Sequence, residues 1–427
     1  MKVLKSLLYS LALLAYSNLL FAQDEDFPFI DYTYQDYLCA VKFHPNGLAL
    51  SYPIVDLNTD AQLKFSFDDL EGDVKDYLYT LIHCDADWKR SALNELEYMD
   101  GFTEARIKDF QYSFNTVVQY THYDLLLPND DVRVTKSGNY LLVVYDDSND
   151  KKVVMTRRFM VIEPLIKMTA RANGASDVSK IRTHQEVDFK VNHEGVQIRN
   201  PLIEVQATVL QNGKWDNAII GIKPLFIRQN ELSFDYQNTI VFPAGNEFRP
   251  IDMRDLNQPI NNIFSIERFD DRHDVTLEKD SSRYNQPYLY IKDLNGQFVI
   301  EHYSKRDADL RCDYAEVLFS YYASEPFNNG DLYLYGAFSD WTVKPTFKMV
   351  YNPIINCYVA KVPLKEGYYN YAYAFVPKKG KPLPETLYTE GSWYDTSNDY
   401  IILVYQRPFG SRYDKIIGAY LFDSGAR

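Results

Sequence analysis

Long apolar runs are almost absent from this sequence: within its 427 residues, only the first 22 contain one. A helix needs about 20 consecutive apolar residues to span a bilayer. Nothing after Ala22 offers that, so direct membrane insertion of the later chain is not expected. Glycine and proline are scarce, at 18 and 19, which excludes a collagen-like chain. Basic residues number 45 against 59 acidic ones, a formal charge of −14, and a nucleic-acid backbone is a poor ligand for such a surface. Catalytic signatures are missing as well. There is no Gly-x-Ser-x-Gly elbow, no Walker-type loop, no Gly-x-Gly-x-x-Gly and no His-Glu-x-x-His,. The sequence makes no positive case for an enzyme and asks for no cofactor.

What is present in quantity is aromatic. Tyrosine occurs 36 times and phenylalanine 25 times, within a hydrophobic share of 46%, too much apolar surface for a disordered chain. Met1 to Ala22 reads as a cleaved secretory signal: Lys2 and Lys5 form a positive n-region, Leu7 to Phe21 an apolar h-region, and Asp24-Glu25-Asp26 follows,. No cysteine follows Ala22 directly, so no lipid anchor is expected there. Loss of the leader takes the basic groups to 43 against 59 acidic ones, a formal charge of −16. Export into an oxidising compartment leaves two readings of the four cysteines. Cys39 with Cys84 and Cys312 with Cys357 share a spacing of 45 residues, and closing each pair would contribute roughly 4 kcal/mol in the chain-entropy picture. The other reading is four buried free thiols.

Alternation with period two runs through most of the chain. Leu63, Phe65 and Phe67 alternate with Lys64, Ser66 and Asp68, and Tyr77 to Ile82 reads as a strand covered on both faces. Val187, Phe189 and Val191 alternate with Asp188, Lys190 and Asn192, and Tyr368 to Val376 and Tyr400 to Tyr405 are further strands. Short strands with Asn/Gly turns predict an all-β chain of tandem immunoglobulin-like β-sandwiches with few short helices. The expected division is a leader over 1–22, a first β domain over 23–163, a second sandwich over 164–312 and a third over 313–427. The segment 86–115 reads as a long loop with short helical turns inserted in the first domain, the kind of element that carries binding.

Two clusters resemble metal sites. In His83-Cys84-Asp85-Ala86-Asp87, strand geometry sends His83 and Cys84 to opposite faces, so a strand end running into a turn is expected. Asp293-Leu294-Asn295-Gly296 lacks the terminal Glu of a calcium loop and reads as a β-turn. His122 reads as a packed or surface histidine, not a catalytic base. Arg249 and Arg254, beside Asp252 and Asp255, are expected to pair internally.

Phe67-Asp68-Asp69-Leu70, His83-Cys84-Asp85-Ala86-Asp87-Trp88, Glu97-Tyr98-Met99-Asp100-Gly101-Phe102 and Ser137-Gly138-Asn139-Tyr140 together resemble the type IX secretion system plug protein family. The resemblance continues through Gln211 to Asn217, Phe242 to Arg249, Gly336-Ala337-Phe338 and Tyr368 to Tyr371. It implies a periplasmic protein without catalytic residues, which docks on the outer-membrane translocon barrel and closes its periplasmic opening. A plug of that kind needs a large rigid body and aromatic anchors; Trp88, Tyr98 and Phe102 in the insertion are the candidates. The third block also resembles an early-set, glycogen-binding-like sandwich through Gly336-Ala337-Phe338-Ser339-Asp340-Trp341 and Gly367 to Tyr371. That resemblance implies an alternative, a carbohydrate-binding module with Trp341 and Trp393 as sugar platforms, although the usual lysine position is Ala372. The other reading of Trp341 is that it packs the turn.

Overall fold

The structure is a computed structural model describing residues 27–380 and 383–425; the expected leader lies outside the described residues. The chain is all-β, and its strands assemble into three sandwiches. In the first, the sheet Leu38–Pro45, Leu63–Asp69, Thr121–Leu127, Asp109–Tyr112 faces a second sheet. That sheet runs in the order Tyr32–Thr33, Lys152–Ile162, Gly138–Asp146, Tyr77–Cys84, Ala105–Arg106, with Ile54–Asp56 parallel to Lys152–Ile162. Alternation decides which side chains meet: Leu63, Phe65 and Phe67 point inward with Leu125, Tyr123, Tyr77 and Tyr140, and all are buried. Phe67 stacks on Tyr123 at 5.0 Å, and the edge of Tyr77 meets both rings, geometry that adds roughly 0.5–1.5 kcal/mol per pair beyond burial.

The second sheet has no solvent face, which explains why Tyr77–Cys84 reads as apolar throughout. Its reverse side, with Ile82, Cys84, Leu141, Val143 and Met160, packs on Leu210, Ile401, Leu403, Tyr405 and Ile416 of the second sandwich. Four sheets therefore stack through three continuous apolar layers. The second sandwich has Lys167–Gly174, His184–Asn192, Glu231–Phe234 and Phe226–Ile227 in one sheet. Its other sheet is Ile219–Ile222, Val205–Gln211, Asp399–Gln406, Lys415–Asp423.

That second sheet corrects the expected division at residue 313. Asp399–Gln406 does not finish the third sandwich; it pairs with Val205–Gln211, Ile402 opposite Val209. Conversely, Arg249–Asp252, Ile263–Arg268, His273–Leu277 and Phe298–Ile300 lie in the stretch expected for the second sandwich but build the third. There they join Tyr314–Tyr322, Gly330–Tyr335, Cys357–Lys365 and Gly367–Pro377 around Val317, Phe319, Leu334, Tyr369, Tyr371 and Tyr373. Period-two patterning says that a segment is a strand buried on a given face. It does not say which distant strand supplies the partner.

All four cysteines are free thiols. Cys39 lies on the first sheet and Cys84 on the far side of the second. Cys312 precedes one end of the Tyr314–Tyr322 ladder, while Cys357 pairs with Tyr322 at its other end.

Candidate docking surface and the junctions behind it

The 86–115 insertion divides into an inner and an outer part. Trp88 sits in a tight turn, its φ of 61° in the left-handed region, with its N–H donated to the Asp85 carbonyl at 2.9 Å. The indole is 5% exposed. Its ring meets that of Trp215 edge-on at 4.9 Å, and the Arg158 guanidinium lies 4.4 Å from its centroid. Tyr98 ends a one-turn helix, Glu95–Tyr98, closed by a capping box between Asn94 and Glu97,. It is buried, and its hydroxyl donates to the Leu81 carbonyl at 3.0 Å. Neither side chain can anchor a partner as expected, because the first fills the seam with the second sandwich and the second fills the first core. Phe102 is 64% exposed.

The outer part is a row that loop-like reading concealed. Among the described residues Asp109–Tyr112 is an edge strand, paired only with Thr121–Leu127, and all four of its residues are exposed. Phe110, Tyr112 and Phe114 alternate with Asp109, Gln111 and Ser113, the period-two signal that could have revealed them. Phe110 and Tyr112 pack edge-to-face at 6.4 Å, and Phe114 lies under the Arg311 guanidinium at 5.1 Å. An open edge with aromatic side chains offers a partner both backbone hydrogen bonds and anchors.

Behind this edge, the polar face of the Leu63–Asp69 strand is covered rather than solvated. Asp68 is fully buried, with its carboxylate accepting from Lys365 Nζ and Tyr314 Oη, both at 2.6 Å, across the boundary to the third sandwich. His122 Nδ1 donates to the other oxygen at 2.6 Å, and its Nε2 faces Asp124 at 3.3 Å. Burial opposes charge on His122, but Asp124 and Asp68 outweigh it and raise the imidazole to about 9. Burial likewise opposes charge on Asp68, yet Lys365 and His122 hold the carboxyl below its usual value. His83, packed against Tyr98 and Tyr140 with Nδ1 2.8 Å from Ser91 Oγ, is pushed down to about 4 by burial. The two histidines therefore act oppositely. The contribution of His122 is full below about pH 6.5 and is lost as pH rises through about 9. That of His83 is full above about pH 6.5 and is lost as pH falls toward 4. Thermal midpoints scanned from pH 5 to 9 are expected to decline on both sides of about pH 6.5, and His122→Gln should flatten the alkaline side alone.

Further polar contacts hold the third sandwich together and bind it to the other two. On the third sandwich, Glu390 accepts from Arg249 and from Arg283, the latter at 2.7 Å, while Arg249 also meets Asp280 at 2.6 Å; across to the second, the Tyr335 hydroxyl donates to the Asp216 carboxylate. Arg254 pairs with Asp252 at 2.7 Å. Between the first and third, Asp340 accepts from Arg157 at 2.9 Å and from the Thr33 backbone at 3.0 Å, with Lys344 beside it. Asp340 belongs to the Gly336 to Trp341 turn, which here serves as a bracket between bodies. The Trp341 ring is held edge-on by Tyr335 at 5.1 Å and Phe248 at 5.7 Å. It presses on Gly296, whose φ is +79° and where a Cβ would lie 2.2 Å from the indole. Trp393 is half-buried beside Tyr288, and Ala372 is buried. Neither tryptophan is a free-standing sugar platform.

Among the described residues no group of three or more His, Cys, Asp or Glu side chains is placed to hold a metal. His83 and Cys84 do lie on opposite faces, and Asp293-Leu294-Asn295-Gly296 is a turn in which Asp293 accepts from the Asn295 N–H at 2.9 Å. No described helix is long and apolar enough to cross a membrane.

Residues 38–163 match the family described as Type 9 secretion system plug protein 1st domain. Among solved structures, a hypothetical protein from Parabacteroides merdae ATCC 43184 is similar at a TM-score of 0.89 and 34% identity, over 93% of this chain and 100% of that one. Collagen adhesin from S. aureus aligns at 6% identity and a TM-score of 0.11, over 91% of this chain and 92% of that one, a likeness too weak to carry an argument. No curated protein matches.

Proposed function

The chain belongs to the type 9 secretion system plug protein family, and from that premise we propose that it is a periplasmic plug, docking on the outer-membrane translocon barrel and sealing its periplasmic opening. The observation that carries the reading is the joining of all three sandwiches to one another. The first and second share an apolar seam, the first and third share Asp68–Lys365 and Arg157–Asp340, and the second and third share Asp216–Tyr335. A stopper must not bend under load, and a body tied at every junction has no hinge to bend at. No catalytic step enters this reading, and carbohydrate has no place in it.

The open Asp109–Tyr112 edge is the docking element in this proposal. Phe110→Ser with Tyr112→Ser and Phe114→Ser is expected to lower co-purification with the barrel from solubilised membranes about tenfold or more, the loss of at least one interface hot spot. The thermal midpoint should stay close to that of the parent, since all three rings are exposed. Wild-type chain recovered with the barrel no better than an unrelated periplasmic protein would refute the plug reading. Undiminished recovery of the triple variant would move the docking face elsewhere.

A further inference from the structure

The outer face of the Leu38–Pro45, Leu63–Asp69, Thr121–Leu127 sheet does not meet the third sandwich along its whole length. The two bodies part around a cavity of about 370 Å³, and its walls carry Lys42, His44, Lys64, His122 and Lys365, with Asp309 as the acidic exception. In a chain with 59 acidic and 45 basic residues, that is a local inversion of charge.

Most of these cations already have partners. Lys64 lies 3.0 Å from both Asp124 and Asp309, and Asp68 serves His122 and Lys365. His44 places Nδ1 2.9 Å from its neighbour's carbonyl, and burial pushes its imidazole down, so it stays neutral. Lys42 is different. Its Nζ donates to the Phe298 carbonyl at 2.7 Å and sits 4.4 Å over the Phe298 ring, and no carboxylate pairs with it among the described residues. The facing groups thus comprise three carboxylates, Asp68, Asp124 and Asp309, against Lys42, Lys64, Lys365 and a protonated His122. With Lys42 protonated one positive charge is in excess, and burial brings its ammonium down to about 7, so that charge is held fully only when an anion is bound.

We propose that this cleft binds a phosphate group, with Lys42 as its principal cation and Lys64 as the second. No arginine borders the cavity, so the planar two-point recognition typical of carboxylates is missing. Separate ammonium groups act as point charges, which suits a tetrahedral oxyanion that can accept from several directions. A phosphate monoester carries about −1.5 to −2 charges at pH 7, and the cavity exceeds by several fold the roughly 30 Å³ share of one water. It therefore has room for a group attached to the phosphate. The ligand bridges the first and third sandwiches and restores the proton of Lys42.

Titration calorimetry of the mature chain with inorganic phosphate, at ionic strength held constant with sodium chloride, tests this. One saturable site is expected at pH 7.5, with a heat that changes with the ionisation enthalpy of the buffer more in the parent than in Lys42→Met, because Lys42 takes up a proton on binding. Lys42→Met should weaken binding about tenfold or more without lowering the ligand-free thermal midpoint, since methionine keeps the packed stem. Lys190→Met, on the second sandwich, should bind as the parent does. Vesicles of phosphatidylcholine with phosphatidic acid, a lipid whose headgroup is a phosphate monoester, separate the two sources of the group. Sedimentation that depends on Lys42 assigns a lipid headgroup, and phosphate binding without sedimentation assigns a soluble phosphorylated compound. Absence of a saturable heat at phosphate concentrations on the order of 10 mM, or equal binding by the Lys42 variant, overturns the proposal.

Discussion

Asp68→Ala is expected to destabilise the protein by about 3–5 kcal/mol, the usual cost of removing one member of a buried ion pair. Lys365 Nζ is 1% exposed at the side chain and Asp68 is not exposed at all. Without the carboxylate, the ammonium keeps the Asp309 carbonyl at 2.6 Å and the rings of Tyr120 at 4.1 Å and Tyr314 at 5.8 Å, and the Tyr314 hydroxyl and His122 Nδ1 lose their acceptor. The measurement is the urea midpoint and its slope, because loosening of the third sandwich alone would change the slope as well. Asp68→Leu combined with Lys365→Met should recover much of the loss, since the desolvation of both charges disappears together. A single variant that unfolds at the parental midpoint would show that the junction does not depend on this pair.

Trp88→Ala carries the second large effect, about 3–5 kcal/mol for a buried tryptophan removed from a packed seam. The indole touches Trp215 and supports Arg158, whose side chain in turn donates to the Phe29 carbonyl at 2.8 Å. The expected outcome is a lower thermal midpoint with barrel association lost only in proportion to unfolding. Phe102→Ala, on an exposed ring of the same insertion, should change stability by no more than about 0.5 kcal/mol. A tryptophan variant of parental stability that no longer co-purifies with the barrel would restore Trp88 to the role of anchor.

These residues show where legibility ended. Leu63, Phe65 and Phe67 announce their inward face by alternation alone, because a strand's period fixes which side chains share a side. The same alternation marks Lys64, Ser66 and Asp68 as outward, and outward is where they point. Yet outward here means against another sandwich, so three polar residues that read as solvated line a junction and a cavity. Trp88 and Tyr98 were identifiable as large aromatics in an insertion, but no local pattern tells an indole that faces a partner from one that faces the next domain. Asp399–Gln406 was legible as a strand and illegible in its partner, since both faces are apolar and its neighbour Val205–Gln211 lies almost 200 residues earlier. Phe110, Tyr112 and Phe114 carried the period of an exposed strand and were obscured by the irregular loop around them.

The C-terminal hairpin has a consequence for how the protein comes into being. Asp399–Gln406 and Lys415–Asp423 are half of one four-stranded sheet, and their side chains enter both the second core and the seam with the first. A chain that emerges N-terminus first must therefore leave the second sandwich unfinished until residues 399–423 have arrived. The first and third sandwiches lack no strand by then, while Val187, Phe189, Val205 and Val209 wait uncovered. Such long-range closure is slow and leaves an apolar sheet open to other chains, so the middle of the sequence is the last part to become native and the first that a truncated C-terminus would expose.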